Sequence, residues 1–328
     1  MLPRRSHPPY LLYGLLSVSL GLAVYMSGVA LFLPRYLLPF HHLLDQVAEW
    51  LVWYSGIPLV LGFGLIAVDL LYLLQHRKPD RPVRNDVLTT DRVTVALTAY
   101  NDEESIADAV ADFLAHPAVA RVIVVSNNSS DRTLERAIAA GAIGVNEEQP
   151  GYGRCVYRCL TEAMRYTDTE LVVLCEGDRT FRAYDINKLL AYAAHCDIVN
   201  GTRITEPLRQ YETQLSTFMY YGNLYVAKLL EAKHLGRGTL TDVGTTYKLC
   251  RRSALERLLP EVDPAINLEF NAHFIDTALS LDMVVVECPL TFHQRVGVSK
   301  GGNINNWRGL TVGLRMIRGI VFDWRWAA

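Results

Sequence analysis

Between Arg5 and Arg35 the chain carries no Asp, Glu, Lys or Arg, and the stretch from Tyr10 to Leu33 is predominantly apolar. At about 1.5 Å per residue, such a run is long enough to cross the roughly 30 Å of hydrocarbon in a bilayer. A second uncharged run opens at Trp50 and continues to Leu74, interrupted only by Asp69. The first run lacks the short apolar core and A-x-A site of a cleaved signal, and the second follows within one loop. The pair therefore predicts a two-helix transmembrane hairpin. Arg4 and Arg5 precede it and Arg77, Lys78, Arg81 and Arg84 follow it, whereas the loop between offers Arg35 with Asp45 and Glu49. This asymmetry predicts a multi-pass protein of the cell membrane with both termini, and everything beyond the hairpin, in the cytoplasm. A carboxylate inside an apolar helix is costly. Asp69 is thus expected near the headgroups, or in contact with a lipid phosphate through a cation or with another subunit.

The remainder of the 328 residues reads as soluble. Thirty-two basic against 34 acidic side chains give a formal charge of -2, so no overall field would hold a nucleic-acid backbone. The 6 cysteines form no CxxC pair and have no matching histidines, which predicts reduced thiols and neither disulfides nor a zinc site. Three parts are expected: residues 1–82 as hairpin and linker, 83–303 as the main soluble domain, and 304–328 as a basic amphipathic helix at the membrane surface.

After the Pro- and Arg-rich linker, β-rich runs alternate with amphipathic patterns: Val93 to Leu97, then a helix from Glu103; Val122 to Val125, then a helix from Asp131; Leu171 to Leu174, then a helix from Tyr184. Such alternation predicts an α/β domain, a mostly parallel sheet with helices on both faces. Ligands in these folds bind beyond the carboxyl ends of the strands. The residues there are Tyr100-Asn101-Asp102-Glu103, the run Ser126 to Asp131, and Glu176-Gly177-Asp178, all polar. Neither GxGxxG after the first strand nor GxxxxGK[ST] anywhere is present, which removes the main support for dehydrogenase and P-loop readings.

Glu176 and Asp178 flank a glycine at a strand end, a spacing that can address one hard divalent cation, though a turn or cap role for Asp178 fits equally. Gly151-Tyr152-Gly153-Arg154 opens a helical run, whose N-terminus is expected to offer backbone N–H groups to an anion. Arg295 to Lys300 sets two cations and a hydroxyl around Gly297, suited to phosphate or simply to solvent.

In order, these segments resemble the inverting GT-A glycosyltransferases of the polyprenyl-phosphate (dolichol-phosphate-like) type, from about Arg92 to Lys300. Leu97 to Glu104 is similar to the opening V-P-x-Y-N-E-E, and Val125 to Thr133 to V-D-D-G-S-T-D-G-T. Gly151 to Arg154 resembles G-x-G-A, Glu176-Gly177-Asp178 stands at D-x-D, and Asn200 to Arg203 at G-S-R. Glu287-Cys288-Pro289 and Arg295 to Lys300 resemble E-v-P and R-x-G-x-S-K. The resemblance implies a GT-A domain, a Rossmann-like mixed sheet with helices on both faces. It implies that Thr98, Tyr100, Asp102, Asn127, Gly151, Glu176 and Gly177 surround the nucleotide, and that Glu176 and Asp178 hold Mg²⁺ or Mn²⁺. It further places Arg203, Glu269, Arg295, Ser299 and Lys300 toward donor or acceptor phosphates, and Asp242 near the acceptor, with Asp178, Asp242, Arg295 and Lys300 as the catalytic set. Thr98, Ser126, Asn127 and Glu176 depart from the pattern, replacing a proline and three aspartates, so the donor base stays open.

The implied reaction moves a sugar from a nucleotide sugar to a polyprenyl phosphate or another lipid acceptor. An acceptor phosphate needs no strong base, whereas a hydroxyl acceptor would need one, with Asp242 or Glu269 as candidates. The altered metal and base positions also admit an idle nucleotide-binding scaffold, and homo-oligomerisation stays open. Thr217 to Leu230, apolar and aromatic, and Trp307 to Trp326, which mixes Leu310, Leu314, Ile317 and Val321 with four arginines, suit a membrane surface or the protein core equally.

Overall fold

The computed structural model describes residues 8–33, 41–74, 83–297, 305–322 and 324. The chain divides into two compact units, one chiefly Arg4–Asp80 and the other chiefly Arg81–Glu231 with Arg237–Ala328.

The first unit holds two helical stretches long and apolar enough to cross a membrane. Tyr10–Phe32 is one continuous helix. The return begins earlier than its uncharged run suggests, at His41, so Asp45 and Glu49 lie on a helix rather than in the loop. It is interrupted between Tyr54 and Gly56, where Pro58 lacks the N–H that the Tyr54 carbonyl would otherwise receive. Glycines let the two stretches approach closely: a Cβ on Gly14 would stand 2.7 Å from the Gly62 carbonyl oxygen, and one on Gly62 would stand 2.7 Å from that of Gly14. Ser17 Oγ adds a hydrogen bond to the Pro58 carbonyl at 2.7 Å. Asp69 opens a π-helical turn, Asp69–Leu73, and is buried. Its Oδ2 accepts the Leu11 N–H at 2.6 Å, satisfying one of the donors that the first turn of Tyr10–Phe32 leaves without an intrahelical partner. The costly carboxylate therefore joins one helix end to the other.

The second unit is built on a seven-stranded sheet: β1 (Val93–Ala99), β2 (Val119–Ser126), β3 (Ile143–Asn146), β4 (Leu171–Glu176), β5 (Ile198–Thr202), β6 (Lys248–Arg251) and β7 (Val285–Pro289), in the order β3-β2-β1-β4-β6-β5-β7. Pairing is parallel except at β6, which runs antiparallel to both neighbours. All seven residues of β1 are buried, as expected of a central strand covered on both faces. Val93, Val95 and Leu97 share a core with Ile106, Val110 and Phe113 of the helix Ile106–Leu114 and with Ile186 and Leu189 of the helix Ile186–Ala193. The helix Tyr152–Ala163 packs on β1, β2 and β4. Gly153 permits it to sit against the 266–270 segment, since a Cβ there would stand 1.8 Å from the Ile266 carbonyl oxygen.

Candidate active site

The exits of β1, β2 and β4 meet at one edge of the sheet, and each carries a residue in the left-handed region: Asn101 (φ 51), Asn128 (φ 53) and Arg179 (φ 65). Such conformations persist where the surroundings hold them. Here the first two turns are stitched together. Asn101 N–H donates to Ser129 Oγ at 3.0 Å, Ser130 N–H to Asn101 Oδ1 at 2.8 Å, and Asp102 N–H to Thr133 Oγ1 at 2.8 Å. Much of the polar run after β2 is thus loop scaffold.

Above this edge lies a cavity of about 1000 Å³, lined by Thr98, Tyr100, Asp102, Asn127, Gly151, Glu176, Asp178, Arg203 and Arg295 among others. Residues far apart in sequence meet in the charged part of its lining. Arg295 Nη1 donates to Asp178 Oδ2 at 2.7 Å and Nη2 to Asp102 Oδ1 at 2.6 Å. Asp178 Oδ1 accepts from the Thr180 N–H at 3.0 Å and from its hydroxyl at 2.6 Å. Glu176 Oε1 accepts from Thr246 Oγ1 at 2.7 Å. Thr246 in turn shares a hydrogen bond of 2.5 Å with the Tyr152 hydroxyl, to which Asn271 Nδ2 donates at 2.9 Å. Burial, and then the charge of Asp178, push the Glu176 carboxyl up to about 7.

Several sequence expectations change with this geometry. The Gly151 N–H is not open to an anion: it donates to Asn127 Oδ1 at 2.9 Å, and the Tyr152 N–H donates to Asn267 Oδ1 at 2.7 Å. Asn127 Nδ2 also donates to the Gln149 carbonyl at 2.8 Å, a bond that an aspartate could not make. Gly177 stands outside the cavity lining; its N–H donates to the Thr98 carbonyl at 2.9 Å, and a Cβ would lie 2.5 Å from Ile106 Cδ1.

Asp242 is fully buried and also outside the lining. Its Oδ2 accepts from Arg203 Nε at 2.7 Å and from the Arg203 N–H at 3.0 Å, while Oδ1 accepts from Arg203 Nη2 at 2.8 Å, Asn223 Nδ2 at 2.8 Å and Gly244 N–H at 2.9 Å. Although burial opposes its charge, the Arg203 guanidinium and these donors hold Asp242 down at about 2, too weak a base for proton abstraction near neutrality. The pair fixes the segment that leads to β6. Glu287 supports the same segment, accepting from Thr241 N–H at 2.8 Å and Asp242 N–H at 3.0 Å. Glu269 is buried and accepts from Arg315 Nε, so it is neither free as a base nor suited to meet a phosphate. Ser299 and Lys300 lie outside the described residues.

Two helices give the same cavity an apolar part of its lining. The helix Thr217–Lys233 contributes Phe218, Tyr221 and Tyr225, and the helix Asn306–Val321 contributes Leu310, Leu314 and Ile317. The second helix ends short of Trp326. One face packs on the protein through buried Met316 and Ile320 and the Arg315–Glu269 pair, while Trp324 Nε1 donates to Asp276 Oδ2 at 2.6 Å. Trp307, in the first turn of this helix, is 80% exposed.

Tyr152, Thr246 and Asn271 line or support the charged cluster, and the sequence does not mark them, because neutral hydroxyls and amides carry no local signal. Lys248 is also unanticipated. It is fully buried in β6, where its ammonium donates to the Thr245 carbonyl and to Asn271 Oδ1, the latter at 3.3 Å.

Sheet order, the single antiparallel strand and a polar cleft at the strand exits define a GT-A fold. Comparison agrees: the chain matches glycosyl transferase family 2 over residues 94–259, and it belongs to that family. It is 39% identical over 114 residues to an uncharacterized glycosyltransferase of Mycobacterium tuberculosis, covering 34% of this chain and 49% of that protein. The chain thus spans about half the length of its mycobacterial relatives. It is 28% identical over 213 residues to a dolichyl-phosphate hexose transferase of Haloferax volcanii, covering 65% of this chain and 87% of that one. A glucosyl-3-phosphoglycerate synthase of Mycobacterium tuberculosis, solved with Mn²⁺, UDP-glucose and phosphoglyceric acid, shares the fold with a TM-score of 0.53 and 19% identity, over 74% of this chain and 86% of that one.

Proposed function

We propose that this protein is a membrane-anchored, metal-dependent, inverting glycosyltransferase that moves a sugar from a nucleotide sugar to a polyprenyl phosphate at the cytoplasmic leaflet. One observation carries the reading: one cavity is lined both by the Asp102, Asp178 and Arg295 cluster and by aromatic and aliphatic side chains of two helices. A nucleotide diphosphate suits the charged cluster, and an isoprenoid tail suits the apolar lining. The relative named for dolichyl-phosphate transfer supports a lipid-linked acceptor.

The state of the acids supports a phosphate acceptor. Asp242 and Glu269, the bases that a hydroxyl acceptor would call for, are tied to Arg203 and Arg315 away from the cavity lining. Of the described carboxylates in the lining, Asp102 and Asp178 are held by Arg295, and Glu176 by Thr246. A phosphate is already an anionic nucleophile and needs none of them as a base.

The residues fit a divalent cation in a particular way. Among those described, no three His, Cys, Asp or Glu groups converge on a metal-sized site, but Asp178 with Glu176 supplies two carboxylates, and a guanidinium already stands where positive charge is needed. Two carboxylates plus diphosphate oxygens are the usual complement of such an ion. When bound, it would neutralise the charge that grows on the leaving diphosphate. Tyr152 and Thr246 would orient Glu176, and the acceptor oxygen would attack the anomeric carbon from the face opposite the nucleotide. The two apolar helices of the first unit would form the transmembrane hairpin, with both termini cytoplasmic, and the exposed Trp307 would meet the headgroups.

The test is transfer by purified full-length protein in detergent with Mn²⁺, undecaprenyl phosphate and a panel of nucleotide sugars, with the product separated by chromatography. A lipid product that disappears in Asp178→Asn is expected. No product from any donor would refute the proposal and leave the idle scaffold.

A further inference from the structure

Arg295 occupies an unusual position for an arginine destined to meet phosphate. Its fork bridges the exits of two strands, reaching Asp178 of β4 at 2.7 Å and Asp102 of β1 at 2.6 Å, and its side chain is only 14% exposed. The other oxygen of Asp178 is already taken by the N–H and hydroxyl of Thr180. A divalent ion and the guanidinium therefore compete for Asp178 Oδ2. Held together at a largely buried carboxylate, they would repel strongly. The seat is also imperfect, because Arg295 Nε is buried without a hydrogen-bond partner. Around it the backbone is pinned: Val296 N–H donates to the Asp178 carbonyl at 3.3 Å and His293 N–H to the Thr180 carbonyl at 2.9 Å. What can move is the side chain.

Building on the donor reading above, we propose that Arg295 is the resident counter-ion of the diphosphate site, and that a divalent cation gains Asp178 by displacing the Arg295 Nη1 bond. Before substrate arrives, the guanidinium offsets part of the charge of Asp102 and Asp178 and keeps the exits of β1 and β4 together. Once the cation takes Asp178, Nη2 stays on Asp102 and Nη1 turns to the diphosphate. The exchange keeps charge in step, since the incoming dication replaces one positive charge on Asp178 and the released donor meets the anion that arrived with it. Metal alone gains little, because Arg295 then has no anion to move to. Metal and nucleotide together bind well.

The experiment is an electron paramagnetic resonance titration of the full chain in detergent with Mn²⁺ alone, without nucleotide, for wild type, Arg295→Gln, Arg295→Lys and Arg295→Gln/Asp178→Asn. Removing a charge-assisted competitor should make Arg295→Gln bind Mn²⁺ at least about tenfold more tightly than wild type. Arg295→Lys keeps the charge but cannot hold both carboxylates in one fork. It should fall between the two, and it serves as the test if Arg295→Gln does not fold. The double variant should lose the gain. Equal or weaker Mn²⁺ binding by the Arg295 variants overturns the exchange. A double variant that binds as tightly as Arg295→Gln removes Asp178 from the metal site and overturns the exchange with it. Tighter binding by Arg295→Gln in a protein whose wild type glycosylates no polyprenyl phosphate would sustain the exchange and refute only the acceptor reading.

Discussion

Asp242→Asn separates a structural role for this carboxylate from a catalytic one. The side chain is fully buried and receives five hydrogen bonds, three of them from Arg203. The fall from its ordinary 3.8 to about 2 is worth on the order of 2 kcal/mol of folding free energy. That contribution is present above pH 3.8 and is lost as pH falls through about 2. Asparagine preserves the size but strands the Arg203 cation in the interior and turns N–H groups toward donors. Breaking a buried pair in this way costs about 3–5 kcal/mol. For a unit of this size, that lowers the melting temperature by roughly 10 °C. The assay is thermal unfolding of the full chain in detergent, paired with a pH–rate profile at a temperature where the variant is folded. Arg203→Met/Asp242→Leu should recover much of the loss, because no charge is left unpaired. Unchanged melting in Asp242→Asn, together with loss of the limb that reports an ionising base, would refute the structural role and return Asp242 to the chemistry.

Three further outcomes follow from buried groups. Burial lowers Lys248 from 10.5 to about 8, a penalty of about 3 kcal/mol that is full below pH 8 and shrinks as pH rises toward 10.5; Lys248→Met should raise stability at pH 7 and flatten that dependence in denaturant titrations. Because Glu176 is raised from 4.5 to about 7, wild-type stability should fall as pH rises through that interval, and Glu176→Gln should abolish the decline in the same measurement. Gly153→Ala would drive a methyl into the Ile266 carbonyl and should cost about 3 kcal/mol or more, seen as a lowered melting temperature.

What the sequence disclosed, and what it hid, has a physical pattern. β1, β2 and β4 are legible because they are short apolar runs rich in valine, and their polar exits mark the cleft edge. β5 and β6 are short and carry Asn200 and buried Lys248 inside them, so periodicity does not reveal them, and strand direction has no local signature at all. Asp102, Asp178 and Arg295 could be chosen as charged groups in suggestive company. That Asp242 is consumed by Arg203, 39 residues away, depends on a tertiary contact that no motif spells out. The same holds for Asn127, whose amide closes the loop to Gly151 instead of standing open. The second apolar helix is longer than its uncharged run because Asp45 and Glu49, which resemble loop residues in the sequence, lie on its first turns.

The central claim is that the acceptor arrives already ionised, so that no carboxylate has to act as its base. It is tested most directly by offering the wild-type protein, with one donor and Mn²⁺, either a polyprenyl phosphate or the corresponding polyprenol of equal chain length, and measuring initial rates of sugar transfer to each. Transfer to the phosphate, with none detectable to the alcohol, is the expected result. Comparable transfer to the alcohol would contradict the account, because an alcohol has to lose its proton to a base.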